Sequence, residues 1–169
     1  MPAIVNLYLL AAICLVSAAS AQAGTPEGIR AHSSGDYALA LRELAPESER
    51  GDPVAQYFLA MMYFGGQGVP VDYAKAVALW RRSAETGLVP SQAMLGMVHF
   101  QGVGTPRDLQ ESAFWYRKAA EKGDPKSQLA YGKALLFGSG GLTKDPAAAA
   151  EWIRKSAEAG NTDAQYFLG

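Results

Sequence analysis

The chain has 169 residues, a formal net charge of −1, and 49% hydrophobic against 18% charged residues. That balance excludes a disordered chain and gives no electrostatic case for nucleic acid. One globular or repeat domain is the class that remains.

Residues 1–23 carry no charged side chain, and Leu7 to Ala19 is a mainly apolar stretch of 13. Ala21-Gln22-Ala23 supplies a small-x-small cleavage signal. The segment reads as a secretory signal peptide cut after Ala23, although the usual basic n-region is missing. A retained anchor is the alternative, but the run falls short of the about 20 residues a span needs. Cys14 is the only cysteine and follows Ile13, a poor fit to a lipoprotein site. The mature chain then has no disulfide, and its stability must come from stacking.

Residues 24–50 read as a degenerate N-terminal capping unit. Its first helix is short, around Pro26 to His32. Gly35-Asp36-Tyr37 opens a second helix, and Asp36 lies 36 residues before Asp72. Pro46 is expected to break or kink that helix near Ala45 and leave Glu47 to Arg50 as a further turn.

Residues 51–87 form the first full unit, which the chain copies as 88–123 and 124–160. Gln56, Gln92, Gln128 and Gln165 are spaced by 36, 36 and 37, and Asp72, Asp108 and Asp145 by 36 and 37. A period in the mid-thirties marks a stacked helical array. The single extra residue falls in the third unit's turn, Gly138 to Lys144, since loops absorb insertions.

The first half of each unit is a helix, here helix A. Asp52-Pro53 and Asp124-Pro125 give a capping side chain followed by proline in the first turn. Leu88-Val89-Pro90 has no capping oxygen, which predicts a shifted or frayed start in the second unit. Ala60 recurs as Gly96, Gly132 and Gly169, so a close approach is expected at that position. Glycine-rich turns follow, such as Gly65-Gly66-Gln67-Gly68-Val69-Pro70. None has the spacing of a phosphate-binding loop.

Helix B begins at Asp72, Asp108 and Asp145. Ala76/Val77, Trp80 and Ala84 form its apolar face. Leu79, Trp115 and Trp152 share one position, and Trp80, Tyr116 and Ile153 the next. Basic pairs such as Arg81-Arg82 lie in its last turns, where the helix dipole favours them. Glu85, Glu121 and Glu158 lie there too, at the unfavourable end of the dipole. Their recurrence predicts a clamp in which each accepts hydrogen bonds from the next helix A. A solvated charge is the alternative.

Residues 161–169 match the start of a fourth unit, and the sequence stops within its helix. Either the array is a shortened piece of a longer one or a partner covers that face. The shortened array is preferred, because an uncapped solenoid end harms solubility.

Catalytic constellations are nearly absent. The two histidines, His32 and His99, are 67 residues apart. No H-E-x-x-H, S-x-x-K or G-x-S-x-G occurs. No catalytic, cofactor-binding or metal-binding residue is assigned, and no cofactor. His99 aligns with Tyr63 and Leu135 and is read as a packing or rim residue. Tyr57, Met61, Tyr63, Met97 and Phe100 are either groove-lining residues or interhelical core. Methionine suits adaptable surfaces, while apolar residues at helical spacing are normally buried.

These units resemble the Sel-one-like repeat (SLR) family, relatives of the tetratricopeptide repeats. The likeness is carried by Gly66-Gln67-Gly68-Val69-Pro70, by Lys118-Ala119-Ala120-Glu121-Lys122-Gly123, and by three copies in register from Gly51 to Gly160. The resemblance implies an all-α, right-handed α-solenoid of antiparallel helix hairpins whose concave face binds proteins or peptides. Family members commonly act as adaptors in signalling, quality control and bacterial envelope processes. Some cysteine-rich relatives are linked to β-lactams; the paired cysteines are absent here. The expectation is a non-catalytic, periplasmic interaction scaffold for a protein or peptide, with no nucleic-acid partner and no membrane contact after signal cleavage. The alternative is an envelope enzyme or regulatory subunit in peptidoglycan or β-lactam metabolism.

Overall fold

A computed structural model describes residues 24–168 of the chain. The segment expected to be a signal peptide, Cys14 and the Gly169 member of the small-residue series lie outside the described residues. Among the described residues nine helices follow one another: α1 (Gly24–Ser34), α2 (Tyr37–Glu49), α3 (Pro53–Gly65), α4 (Tyr73–Glu85), α5 (Val89–Gln101), α6 (Leu109–Glu121), α7 (Pro125–Phe137), α8 (Pro146–Glu158) and α9 (Thr162–Leu168). No strand occurs among the described residues. Each helix packs chiefly on its neighbours in sequence, so the fold is a solenoid of antiparallel hairpins. Such an array is quasi-one-dimensional, with every unit stabilised by the copies beside it.

Local signals set most boundaries. The Asp52 carboxylate accepts from the Val54 and Ala55 N–H groups at 2.8 Å, and Asp72, Asp108, Asp124 and Asp145 cap their helices likewise. Each cap contributes about 1 kcal/mol. The uncapped second unit nevertheless starts in register, at Val89, without a side-chain cap bond. The expected shift is absent because packing seats this helix. Ser91 and Gln92 are buried at its start, bonded to Ser83 and to the Ala84 carbonyl.

Pro46 does not end its helix: α2 runs through it to Glu49. Proline lacks only the N–H that would reach the carbonyl of Arg42, and both residues lie on the exposed side. Leu44, Glu47 and Ser48 on the other side are buried and hold the helix in place. The opening helix α1 is also longer than expected, spanning 11 residues.

Two contacts repeat along the array. The glutamine of each helix A donates its amide to a carbonyl near the end of the preceding helix B. Gln56 reaches Ser48 O at 3.1 Å, Gln92 Ala84 O at 3.1 Å, Gln128 Ala120 O at 3.3 Å and Gln165 Ala157 O at 3.0 Å. These carbonyls also accept the N–H of Gly51, Gly87, Gly123 and Gly160. Glutamine therefore does the work expected of the glutamates. Glu85, Glu121 and Glu158 are exposed, and Glu121 pairs with Arg117 of its own helix at 2.7 Å. A carboxylate could not have served, because the groups to be satisfied are carbonyls and need a donor.

The second contact joins each turn to the helix B of the preceding unit. Gly68, Gly104 and Gly140 have φ of +72°, +71° and +67°. A Cβ on Gly104 would stand 2.5 Å from the Tyr73 carbonyl oxygen; Gly140 meets the Leu109 carbonyl in the same way, and Gly68 would meet the Tyr37 Cβ at 2.6 Å. Only glycine combines that backbone with that proximity.

The small-residue position in helix A behaves as expected. Ala60 is fully buried, a Cβ on Gly96 would be 2.6 Å from the Tyr116 ring, and one on Gly132 2.8 Å from Ile153. The apolar face of helix B is inside, with Ala76, Val77, Trp80 and Ala84 all buried.

Candidate interaction groove

The apolar core is not uniform along the array. One cluster runs without a break from α1 to Trp115 in α6. Two smaller clusters follow, one around Ala120, Tyr131, Leu135 and Ala149, the other around Leu129, Ile153 and Ala164. A half-open groove of about 480 Å³ lies at this division, between the second and third units. Leu109, Ala113 and Tyr116 of α6 form one wall; Lys126, Leu129, Ala130, Lys133, Ala134 and Phe137 of α7 form the other. Phe100 of α5, Ser112 of α6, Ser139 of the turn after α7, Asn161 before α9 and Asp163 within it complete the lining.

The α7 wall is one helical face, since its members recur at three- and four-residue intervals. Phe100 and Phe137 are 52% and 68% exposed, so two large apolar rings meet solvent at the groove. Arg107 stands over the Phe100 ring and Lys133 over that of Phe167. Burial, with a smaller contribution from the Asp124 charge, pushes the Tyr116 phenol up to about 12, so it is a protonated wall of the groove.

Of the five aromatic and methionine residues singled out in the sequence, Phe100 lines this groove. Tyr57, Met61, Tyr63 and Met97 are half-buried against the first core cluster. The sequence reading did not single out Lys126, Ala130, Lys133 and Phe137. A comparison of repeats finds the first three: in α3 and α5 the positions of Lys126, Ala130 and Lys133 hold Val54, Phe58, Met61 and Pro90, Met94, Met97.

His99 lies elsewhere and is buried. The Arg81 guanidinium is 3.2 Å from its Nε2 and 3.3 Å from the Glu111 carboxylate, which also accepts from Trp115 Nε1 at 3.0 Å. Guanidinium only donates, so Nε2 accepts and the imidazole proton sits on Nδ1, which has no partner. Burial lowers the His99 pKa, with Arg81 acting the same way and Glu111 and Asp108 opposing. The cluster ties α4, α5 and α6 together and contains no nucleophile. Among the described residues, no group of three or more His, Cys, Asp or Glu could hold a metal, and no helix is long and apolar enough to cross a membrane.

A family model, Sel1 repeat, matches residues 53–88, 89–124 and 125–161. The chain belongs to the Sel1 repeat family. Sel1 repeat proteins generally mediate protein–protein interaction, and their scaffold is typically non-catalytic. Solved structures agree with the assignment. A protective antigen present in uropathogenic Escherichia coli strains, which displays an SLR fold, is 35% identical with a TM-score of 0.79, over 85% of this chain and 32% of that one. A Sel1 repeat protein from Oxalobacter formigenes is 30% identical with a TM-score of 0.77, over 81% and 56%. The cysteine-rich protein B of Helicobacter pylori shares the fold at 20% identity and a TM-score of 0.60, over 78% and 94%. This Sel1 chain therefore spans about a third and just over half of the first two. A search of curated proteins gives no match.

Proposed function

We propose that this Sel1 repeat chain is a non-catalytic scaffold, exported to the bacterial envelope, that holds a segment of another protein in the groove between its second and third units. The groove carries the reading: about 480 Å³ of half-open space with two exposed phenylalanines, in a family that works by protein contact. Its size falls within the range of ligand sites, roughly 300–1,000 Å³. Stacked repeats bury their apolar faces on each other and leave an inner surface for a partner. Export rests on the apolar leader and the Ala21-Gln22-Ala23 site, and a periplasmic home follows from it.

The test is capture of a partner by the full chain, compared with Ala130→Trp, which fills the groove. Loss of that partner in the variant supports the reading; equal capture refutes it. Cell fractionation with N-terminal sequencing tests export. A mature chain beginning at Gly24 is expected, and an uncleaved cytoplasmic chain would reject that part.

A further inference from the structure

We propose that the groove selects a partner segment in which carboxylates stand beside large apolar side chains. This rests on the interaction reading above and adds the chemistry of the occupant.

The argument begins with the repeat register. Three positions on one face of helix A hold Val54, Phe58 and Met61 in α3, and Pro90, Met94 and Met97 in α5. Phe58, Met61, Met94 and Met97 pack against the core and fill their seams. In α7 the same positions hold Lys126, Ala130 and Lys133. One change removes volume, and the two beside it add positive charge. The groove and its charge therefore arise together, at the point where the apolar core divides.

The lysines are not accounted for within the protein. Among the described residues neither Lys126 nor Lys133 pairs with a carboxylate; Lys133 rests over Phe167, 5.3 Å from the ring centroid. Arg107 adds a third cation above Phe100. Asp163 is the one carboxylate in the lining. Solvated lysines alone would need no groove, and an apolar groove alone would be better served by the methionines of α5. Cations around an apolar floor are complementary to an acidic, apolar chain, whose approach they also accelerate. Phe100 and Phe137, both exposed, offer it rings to pack on.

The test is panning of a random peptide library displayed on phage against the full chain, followed by binding of a synthetic peptide taken from the enriched set. Enrichment of Asp and Glu together with Leu, Phe or Trp is expected. Affinity should fall roughly ten-fold or more in Lys126→Glu/Lys133→Glu and weaken with salt. Panning on that double variant should enrich Lys and Arg instead. Lys126 is exposed and Lys133 half-buried, and far-ultraviolet circular dichroism checks that the fold is kept. Enriched peptides poor in carboxylates, yet lost in Ala130→Trp, would overturn the acidic preference and leave the groove reading standing. Binding indifferent to Ala130→Trp would remove both. Failure to enrich any groove-dependent peptide would also overturn the proposal, as would binding of phosphatidylglycerol vesicles in its place or a concentration-dependent dimer abolished by Lys133→Glu.

Discussion

The Ser91 hydroxyl donates to the Ser83 hydroxyl at 2.7 Å, and Ser83 in turn donates to the Pro53 carbonyl at 2.7 Å. This buried relay joins the first unit to the second. One period later, Ser127 stands in the place of Ser91, but Ala119 stands in the place of Ser83. The Ser127 hydroxyl is buried without a partner as a result. Ala119→Ser should restore the relay and stabilise the chain by about 1 kcal/mol, the usual net worth of a hydrogen bond. Chemical denaturation measures this. Ser127→Ala should be nearly neutral in the natural chain and costly in the Ala119→Ser background.

The glutamine joints give a second prediction. Gln92→Ala removes a side-chain donor to the Ala84 carbonyl and opens a buried space, and should cost about 1–3 kcal/mol. Glu121→Gln changes only an exposed pair and should stay within about 0.5 kcal/mol. Thermal unfolding of the two variants distinguishes them. Equal losses would return the clamp to the glutamates.

A third prediction concerns the turns. Gly104 and Gly123 both have positive φ, but a Cβ on Gly104 meets the Tyr73 backbone and one on Gly123 meets nothing within 4 Å. Gly123→Ala should cost about 1 kcal/mol for the left-handed backbone alone. Gly104→Ala should cost about 1–3 kcal/mol more, because a backbone carbonyl has no rotamer with which to yield. Paired melting curves read the difference directly.

The fourth prediction is a pH dependence. Burial lowers the His99 pKa in the folded chain, so the unfolded chain takes up the proton first as pH falls. The His99 contribution is fully present above the ordinary histidine pKa and is lost progressively below it. His99→Leu, which copies Leu135 of the third unit, should flatten the melting temperature between about pH 7 and pH 5 relative to the natural chain. Parallel slopes for the two proteins would rule this out.

Much of the fold is legible in the sequence, because the repeat aligns each residue with its equivalents. The aspartate caps, the buried face of Trp80 and Ala84, and the tight positions at Gly96 and Gly132 can each be read from recurrence. Readings that weighed one local feature by itself fared less well. Pro46 argues for a break or kink, and the uncapped Leu88 for a shifted or frayed start; packing carries α2 through the first and seats α5 in register at the second. Recurrence alone does not separate the exposed glutamates from the equally regular glutamines, whose amides make the joints. The groove was legible in a different way. Lys126, Ala130 and Lys133 stand out as departures from the pattern, and a search for what repeats passes over them.

The meeting of Gly68, Gly104 and Gly140 with the backbone of the unit before places the gauge of the array in its turns. Of the residues that line the groove, Leu109 and Ala113 of α6 meet one of these glycines, while the α7 wall stands outside the contacts. The face of α7 that carries Lys126, Ala130 and Lys133 can therefore be rewritten with the pitch of the coil untouched.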